Sequence, residues 1–269
     1  MYWYMVMHFG ENFDVSLKYA NTAFRGFGGW FVLIILNLFM FAGVALLCIG
    51  ASFVVLGLLS QMGLISSADI GSVAGTHLDA VVLSTWAGGI LFVFGLVLTL
   101  IFGIFIAGVQ IRAYRGGELN FAHFGRLICD GFFALVILCV YLLPYCIITT
   151  LAAFGPVDNG VYYVLVCVVV PVLVLIVSLL IGFTALVHFA KEEKFGAAFR
   201  VKEICGIISD IGWLRYLGYL CLVGLIVGVV ELVLTMIPVV GLVLMPVVLG
   251  FVQIFQARFV GNLYETAGE

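Results

Sequence analysis

Charge is what this chain has least of. Asp, Glu, Lys and Arg make up 9% of its 269 residues, against about a quarter in an average soluble domain. With 65% of the residues hydrophobic, that scarcity excludes a soluble domain and leaves a membrane protein. The apolar runs also lack the strict alternation of a lipid-facing β-strand, so a barrel is excluded and an all-α bundle is expected. The seven cysteines contain no C-x-x-C and no Cys/His cluster, which removes a zinc site and a disulfide framework. There is no H-E-x-x-H, no phosphate-cradling glycine loop and no nucleophile elbow. No cofactor, metal or catalytic constellation is therefore expected. Nor do the first ten residues hold a Lys or Arg ahead of an apolar core, so no cleavable signal is read there, and either Met1 or Met7 serves as a start.

What the chain does have is long apolar runs, each able to cross a hydrocarbon core of about 30 Å. Residues 30–59 and 80–111 are overlong: thirty helical residues cover about 45 Å at 1.5 Å each. The first of these runs either projects beyond the far side or breaks near Gly50. Further spans are expected at about 131–154, 161–190, 214–236 and 239–257, with a kink at Pro144 and Pro171. Before three of the spans lies a segment of mixed character. In residues 9–28, Phe13, Leu17, Ala20, Phe24 and Phe27 repeat at helical spacing opposite Asp14, Lys18 and Asn21. In residues 120–130, Phe121, Phe124 and Ile128 share a side. In residues 191–213, a helix from Ala197 aligns Val201, Ile204, Ile208 and Ile211 against Lys202, Glu203, Ser209 and Asp210, the pattern of a helix lying in the membrane interface.

The chain therefore reads as a polytopic integral membrane helical bundle forming one membrane domain over residues 1–269. Its six transmembrane helices form three hairpins, each preceded by an amphipathic interfacial helix. The units cover 9–115, with an extracytoplasmic insertion around 60–86, then 118–193, then 196–266. In that arrangement all eleven Lys and Arg residues fall on one side, and the opposite loops carry only Asp69, Asp79 and Asp158. The positive-inside rule then places both termini in the cytoplasm of a plasma-membrane protein.

FGENF-x-x-x-LKYA (9–20), GRL-x-x-DG followed by VYLLP (125–131, 140–144), FGAAFR (195–200), IPVVG (237–241) and QARFVGNLY (256–264) carry a resemblance. They resemble the prokaryotic membrane proteins, common in methanogenic archaea, of the domain of unknown function four-zero-one-three. Two departures stand out: residues 50–86 look like an insertion in the first hairpin, and Leu119-Asn120 stands where the family has Leu-Pro. The resemblance implies the architecture and supplies no catalytic residues.

Several residues are candidates for a site. Glu231 is an intramembrane carboxylate, costing about 3 kcal/mol to insert, and is read either as a proton or cation site near Thr149, Thr150, Tyr145 or Thr235, or as a protonated group that hydrogen-bonds a neighbour. Asn37, Gln110 and Gln253 either line a path or, the reading preferred, hydrogen-bond between helices. Gly224-x-x-x-Gly228 and Gly103-x-x-x-Ala107 permit close helix packing. Phe199, Arg200, Lys202, Ile208 and Trp213 form a candidate surface for lipid or a partner, although acidic neighbours nearly cancel its charge. The expected partners are the lipid bilayer and an unidentified membrane or cytoplasmic protein, and not nucleic acid. The role expected is a non-enzymatic scaffold or accessory protein; the alternatives are a transporter or channel using Glu231 and, third, a membrane-embedded enzyme.

Overall fold

The computed structural model describes residues 8–24, 27–61, 78–119, 121, 123–153, 163–237 and 240–268. They form α1 (Phe9–Thr22), α2 (Phe27–Gln61), α3 (Leu78–Arg115), α4 (Phe124–Ala153), α5 (Val170–Glu192), α6 (Val201–Ile211), α7 (Trp213–Thr235) and α8 (Val240–Gly268). A π-helical turn, Tyr163–Val169, leads into α5, and a 3-10 turn, Phe195–Phe199, precedes α6. No strand occurs among the described residues; the one backbone bridge joins Phe24 to Leu119. Six of the helices are long and apolar enough to cross a membrane: α2, α3, α4, α5, α7 and α8. The outer loops, including Asp69, Asp158 and the tip of the expected insertion, lie outside the described residues.

The overlong first run does not break. α2 continues through Gly50 for 35 residues and α3 for 38, about 52 and 57 Å at 1.5 Å per residue. Glycine explains their pairing. Gly43, Gly50 and Gly57 on α2 lie opposite Gly95, Gly88 and Thr85 on α3, and a side chain at any of these glycines would strike the opposite helix. A Cβ at Gly50 would sit 2.6 Å from the Gly88 carbonyl oxygen and 2.8 Å from Phe92 Cα. One at Gly95 would sit 2.7 Å from the Gly43 oxygen, and one at Gly57 would sit 2.9 Å from Thr85 Cβ. Because numbers rise on α2 as they fall on α3, the two run antiparallel. Spacing by sevens keeps the glycines on one seam, and the small residues let the backbones approach. Gly103, Gly224 and Gly228 behave differently: a Cβ at each meets nothing within 4 Å. The four-residue glycine motifs are therefore not points of close approach inside the chain.

Proline acts differently at its two sites. α4 runs on through Pro144. At Pro171 the missing N–H leaves the Cys167 carbonyl without its usual donor, and the backbone there takes the wider π turn before α5 begins.

α8 is the central helix. It packs against α1, α2, α3, α5, α6 and α7, and 44% of its apolar window is buried against 11% for α7, whose main neighbours are α8 and α6. The core gathers around Ile254, Phe259 and Leu263 of α8 with Ile204, Ile208 and Tyr216.

Three expectations about the mixed segments need correction. Residues 120–130 do not form a separate helix among the described residues: Phe124–Asp130 are the first turns of α4 itself. Nothing interrupts the helix at Gly131, which instead lets α4 approach the Ile104 backbone of α3. In the first segment the face turned inward keeps Ala20 and Phe24 of the expected stripe but has Asn12 and Ser16 in place of Leu17. Leu17 is 40% exposed, whereas Asn12, Ser16 and Ala20 are fully buried against α8. In the third segment the helix starts at Val201 rather than Ala197, because Arg200 (φ −80°, ψ 68°) leaves the helical region. Val201 is consequently 46% exposed, and the buried stripe is Ile204, Ile208 and Ile211.

Candidate functional site

The polar chemistry of the molecule collects at the end of the bundle that carries the basic residues. Arg115, at the last turn of α3, donates from Nη1 to Asp130 Oδ2 at 2.8 Å and from Nε to the Ala190 carbonyl at 2.9 Å. Glu193 ends α5 in a left-handed conformation (φ 55°). That turn brings its carboxylate 2.6 Å from Arg126 Nη2 and 3.6 Å from Arg115 Nε. On α8, Glu265 is bonded by Lys191 and held by Arg258 through both guanidinium nitrogens, at 3.2 and 3.1 Å. The same guanidinium stacks over the Tyr19 ring, 5.5 Å from its centre, and fills the space that a side chain at Gly116 (φ +79°) would need. Burial pushes the Tyr19 hydroxyl up to about 12, with Arg258 pulling weakly the other way. The hydroxyl therefore stays protonated and donates to the Gly117 carbonyl at 2.6 Å. Helices α1, α3, α4, α5 and α8 are joined at this end by charged and polar side chains.

Two buried polar clusters lie within or beside that network. Asn12 donates to the Phe259 carbonyl at 3.1 Å, and Asn262 donates to Asn12 Oδ1 at 2.9 Å and Ser16 Oγ at 3.2 Å. His188, 4% exposed, lies with Nδ1 2.5 Å from the Tyr264 hydroxyl. Its Nε2 sits 3.3 Å from Glu203 Oε2 without the alignment of a hydrogen bond. Neither cluster was apparent from the sequence, where Asn12 and Ser16 drew no role and His188 read as isolated. The available signal was the spacing: Asn12, Ser16 and Ala20 fall on one stripe of small residues.

The candidates from the sequence are scattered. Phe199 is 37% exposed and its ring lies 6.3 Å from that of Tyr141; Trp213 is 41% exposed. Arg200 pairs with Glu203 at 3.3 Å, and Lys202 is exposed. Ile208 is not part of any such surface: it is fully buried in the chain's own core. Glu231 is half-buried on α7, and no hydrogen bond or ion pair reaches it among the described residues. Thr149, Thr150 and Thr235 instead donate to carbonyls of their own helices. Gln253 donates to Asn37 Oδ1 at 3.1 Å, joining α8 to α2, while Asn37 donates to the Leu33 carbonyl. Gln110 makes no such bond. The described residues hold no group of His, Cys, Asp and Glu arranged to bind a metal.

A family model described as "Protein of unknown function (DUF4013)" matches residues 90–239, more than half of the chain. The chain belongs to that family. The match runs from inside α3 to the end of α7, so it takes in Arg115, Asp130, His188, Glu203 and Glu231 but neither α1 nor α8. It is narrower than the stretch over which the sequence motifs are spread. No curated protein and no solved structure matches the chain.

Proposed function

We propose that this family member is a non-enzymatic accessory protein of the plasma membrane that holds a protein partner at the cytoplasmic face. In this reading both termini are cytoplasmic, and the six spans form three hairpins. α1 and the 3-10 turn with α6 lie in the inner interface beside the first and third. The observation that carries the proposal is the pairing of charges at the basic end. Arg115, Arg126, Lys191, Arg200 and Arg258 are each matched by a carboxylate of another segment or a neighbouring turn. Such pairing makes a stiff, nearly neutral platform. Attraction of anionic lipid, about 1 kcal/mol per unpaired basic residue near the surface, is correspondingly small.

Two experiments test it. A photo-crosslinking residue in place of Lys202, on the exposed side of α6, is expected to give one discrete protein adduct in native membranes; adducts to lipid alone, or none, would overturn the proposal. With the native cysteines replaced, Asp158→Cys is expected to react only from outside the cell and Lys194→Cys only from inside. The reverse pattern sinks the topology.

A second reading, transport of a small solute or lipid, has one observation in its favour: the Glu231 carboxylate has no partner among the described residues. It predicts that Glu231→Gln abolishes flux in proteoliposomes while the protein stays folded.

A further inference from the structure

Between α3, α5, α7 and α8 lies a cavity of about 200 Å³. Its polar lining comes from Gln110 and Tyr114 of α3 and from Gln253 and Gln256 of α8; Phe183 and Gly224 stand on the apolar side. Every polar group here is neutral. Gln253 Oε1 is buried with no hydrogen-bond partner among the described residues, and the half-buried Gln110 and Gln256 and the Tyr114 hydroxyl make no hydrogen bond there either. Polar side chains within spanning helices ordinarily find partners on a neighbouring helix, and leaving a buried one unpaired costs about 1–3 kcal/mol. A buried orphan oxygen in the cavity lining, with further unpaired polar groups beside it, is accounted for if the partner comes from what the cavity holds. A Cβ at Gly224, an exposed residue of the lining, would meet nothing within 4 Å, so a larger side chain has room there.

The geometry points to a binding site for a small uncharged amphiphile, with a hydrogen-bonding head of the amide, phenol or alcohol type and an apolar body. Size and chemistry both select it. A dry apolar cavity of about 150 Å³ is enough for benzene, so this one takes a single ring with its polar substituent. The amides and the tyrosine hydroxyl offer donors and acceptors together, matching a head that both gives and receives. With no charged group in the lining, an ion would lose its hydration without recompense. The site is independent of the platform proposed above, since none of the paired charges lines it.

The probe for the test is 4-fluorobenzamide, read by fluorine NMR with the full chain in lipid nanodiscs. 4-Fluorotoluene, which keeps the ring and lacks the head, is the comparison, and empty nanodiscs give the partition background. The expected result is a saturable shift for 4-fluorobenzamide alone, displaced by unlabelled benzamide. Gly224→Phe, which fills the space, is expected to abolish it. The double variant Tyr114→Phe with Gln256→Leu keeps the cavity open and is expected to weaken binding about tenfold, the scale of a lost hydrogen bond or two. Signal no different from empty nanodiscs means the cavity holds only water and overturns the inference. So does equal saturable binding of 4-fluorotoluene, which would mark an acyl-chain slot. Binding that survives both the filling and the polar variants places the probe elsewhere and overturns it as well.

Discussion

Asn12 and Asp130 illustrate how an apolar chain uses its few polar groups. Asn12 donates an amide hydrogen to the Phe259 carbonyl, and its oxygen accepts from Asn262. Asn12→Ala removes both bonds in a fully buried place, and a loss of about 2 kcal/mol is expected, read as a lower melting temperature in detergent. Leu17→Ser, on the exposed face of the same helix, is expected to stay within about 0.5 kcal/mol. Were the apolar stripe the buried one, the order of the two variants would be reversed. Asp130→Asn removes the charged partner of Arg115, whose side chain is only 20% exposed, and is expected to cost about 2 kcal/mol by the same measurement. The sequence could not place these bonds. Hydropathy treats Asn and Ser as water-seeking, and it takes no account of a partner some 250 residues away. Asp130 and Arg115 were both visible as charges beside a span, but their pairing depends on how α3 and α4 cross.

The helices themselves were largely legible. Each of the six spans was readable as an apolar run, because crossing a bilayer demands length and apolarity, and both are local properties. Packing between the helices was not, and the glycines show why. The spacing by four at Gly224 and Gly228 resembles a known contact motif yet borders open space, while the spacing by seven along α2 and α3 forms the seam. The two sets are expected to respond with opposite sign. Gly50→Val drives a branched side chain into the α3 backbone and should cost about 1–3 kcal/mol and loosen the pair. Gly103→Ala meets nothing and should stabilise its helix by up to about 1 kcal/mol, since alanine loses less freedom than glycine on folding. Thermal unfolding of both variants checks the contrast. The segments of mixed character were legible only in part. Periodicity marked a two-sided helix at α1 but could not say which side turns in, and a single backbone dihedral at Arg200 moved the start of α6.

Across the whole molecule, the charged end is a closed circuit that joins the first helix to the last. Residues 258–268 supply Arg258, Asn262 and Glu265, and with them the stacking on Tyr19, the bonds to Asn12 and Ser16, and the partner of Lys191. Truncation after Ala257 is expected to free α1, detected as cleavage within residues 9–22 by a soluble protease that leaves the full chain uncut. If α1 held its place through its apolar side alone, the truncated chain would resist as well. The candidate cavity also belongs to this level, since its lining comes from four separate helices, α3, α5, α7 and α8. No local pattern announces such a space: Gln110, Gln253 and Gln256 were each visible, but not their convergence.

The contact between Ser16 and Asn262 spans 246 residues, and it sets an order of events during synthesis. A ribosome adding about 5–20 residues per second needs roughly 12–50 s to travel from one to the other. Throughout that interval α1 exists without Asn262, whose amide bonds both Asn12 and Ser16. It has to wait in water or in the headgroup layer while the spans are threaded past it. α1 is thus made well before α8 and locked only once residue 262 has emerged.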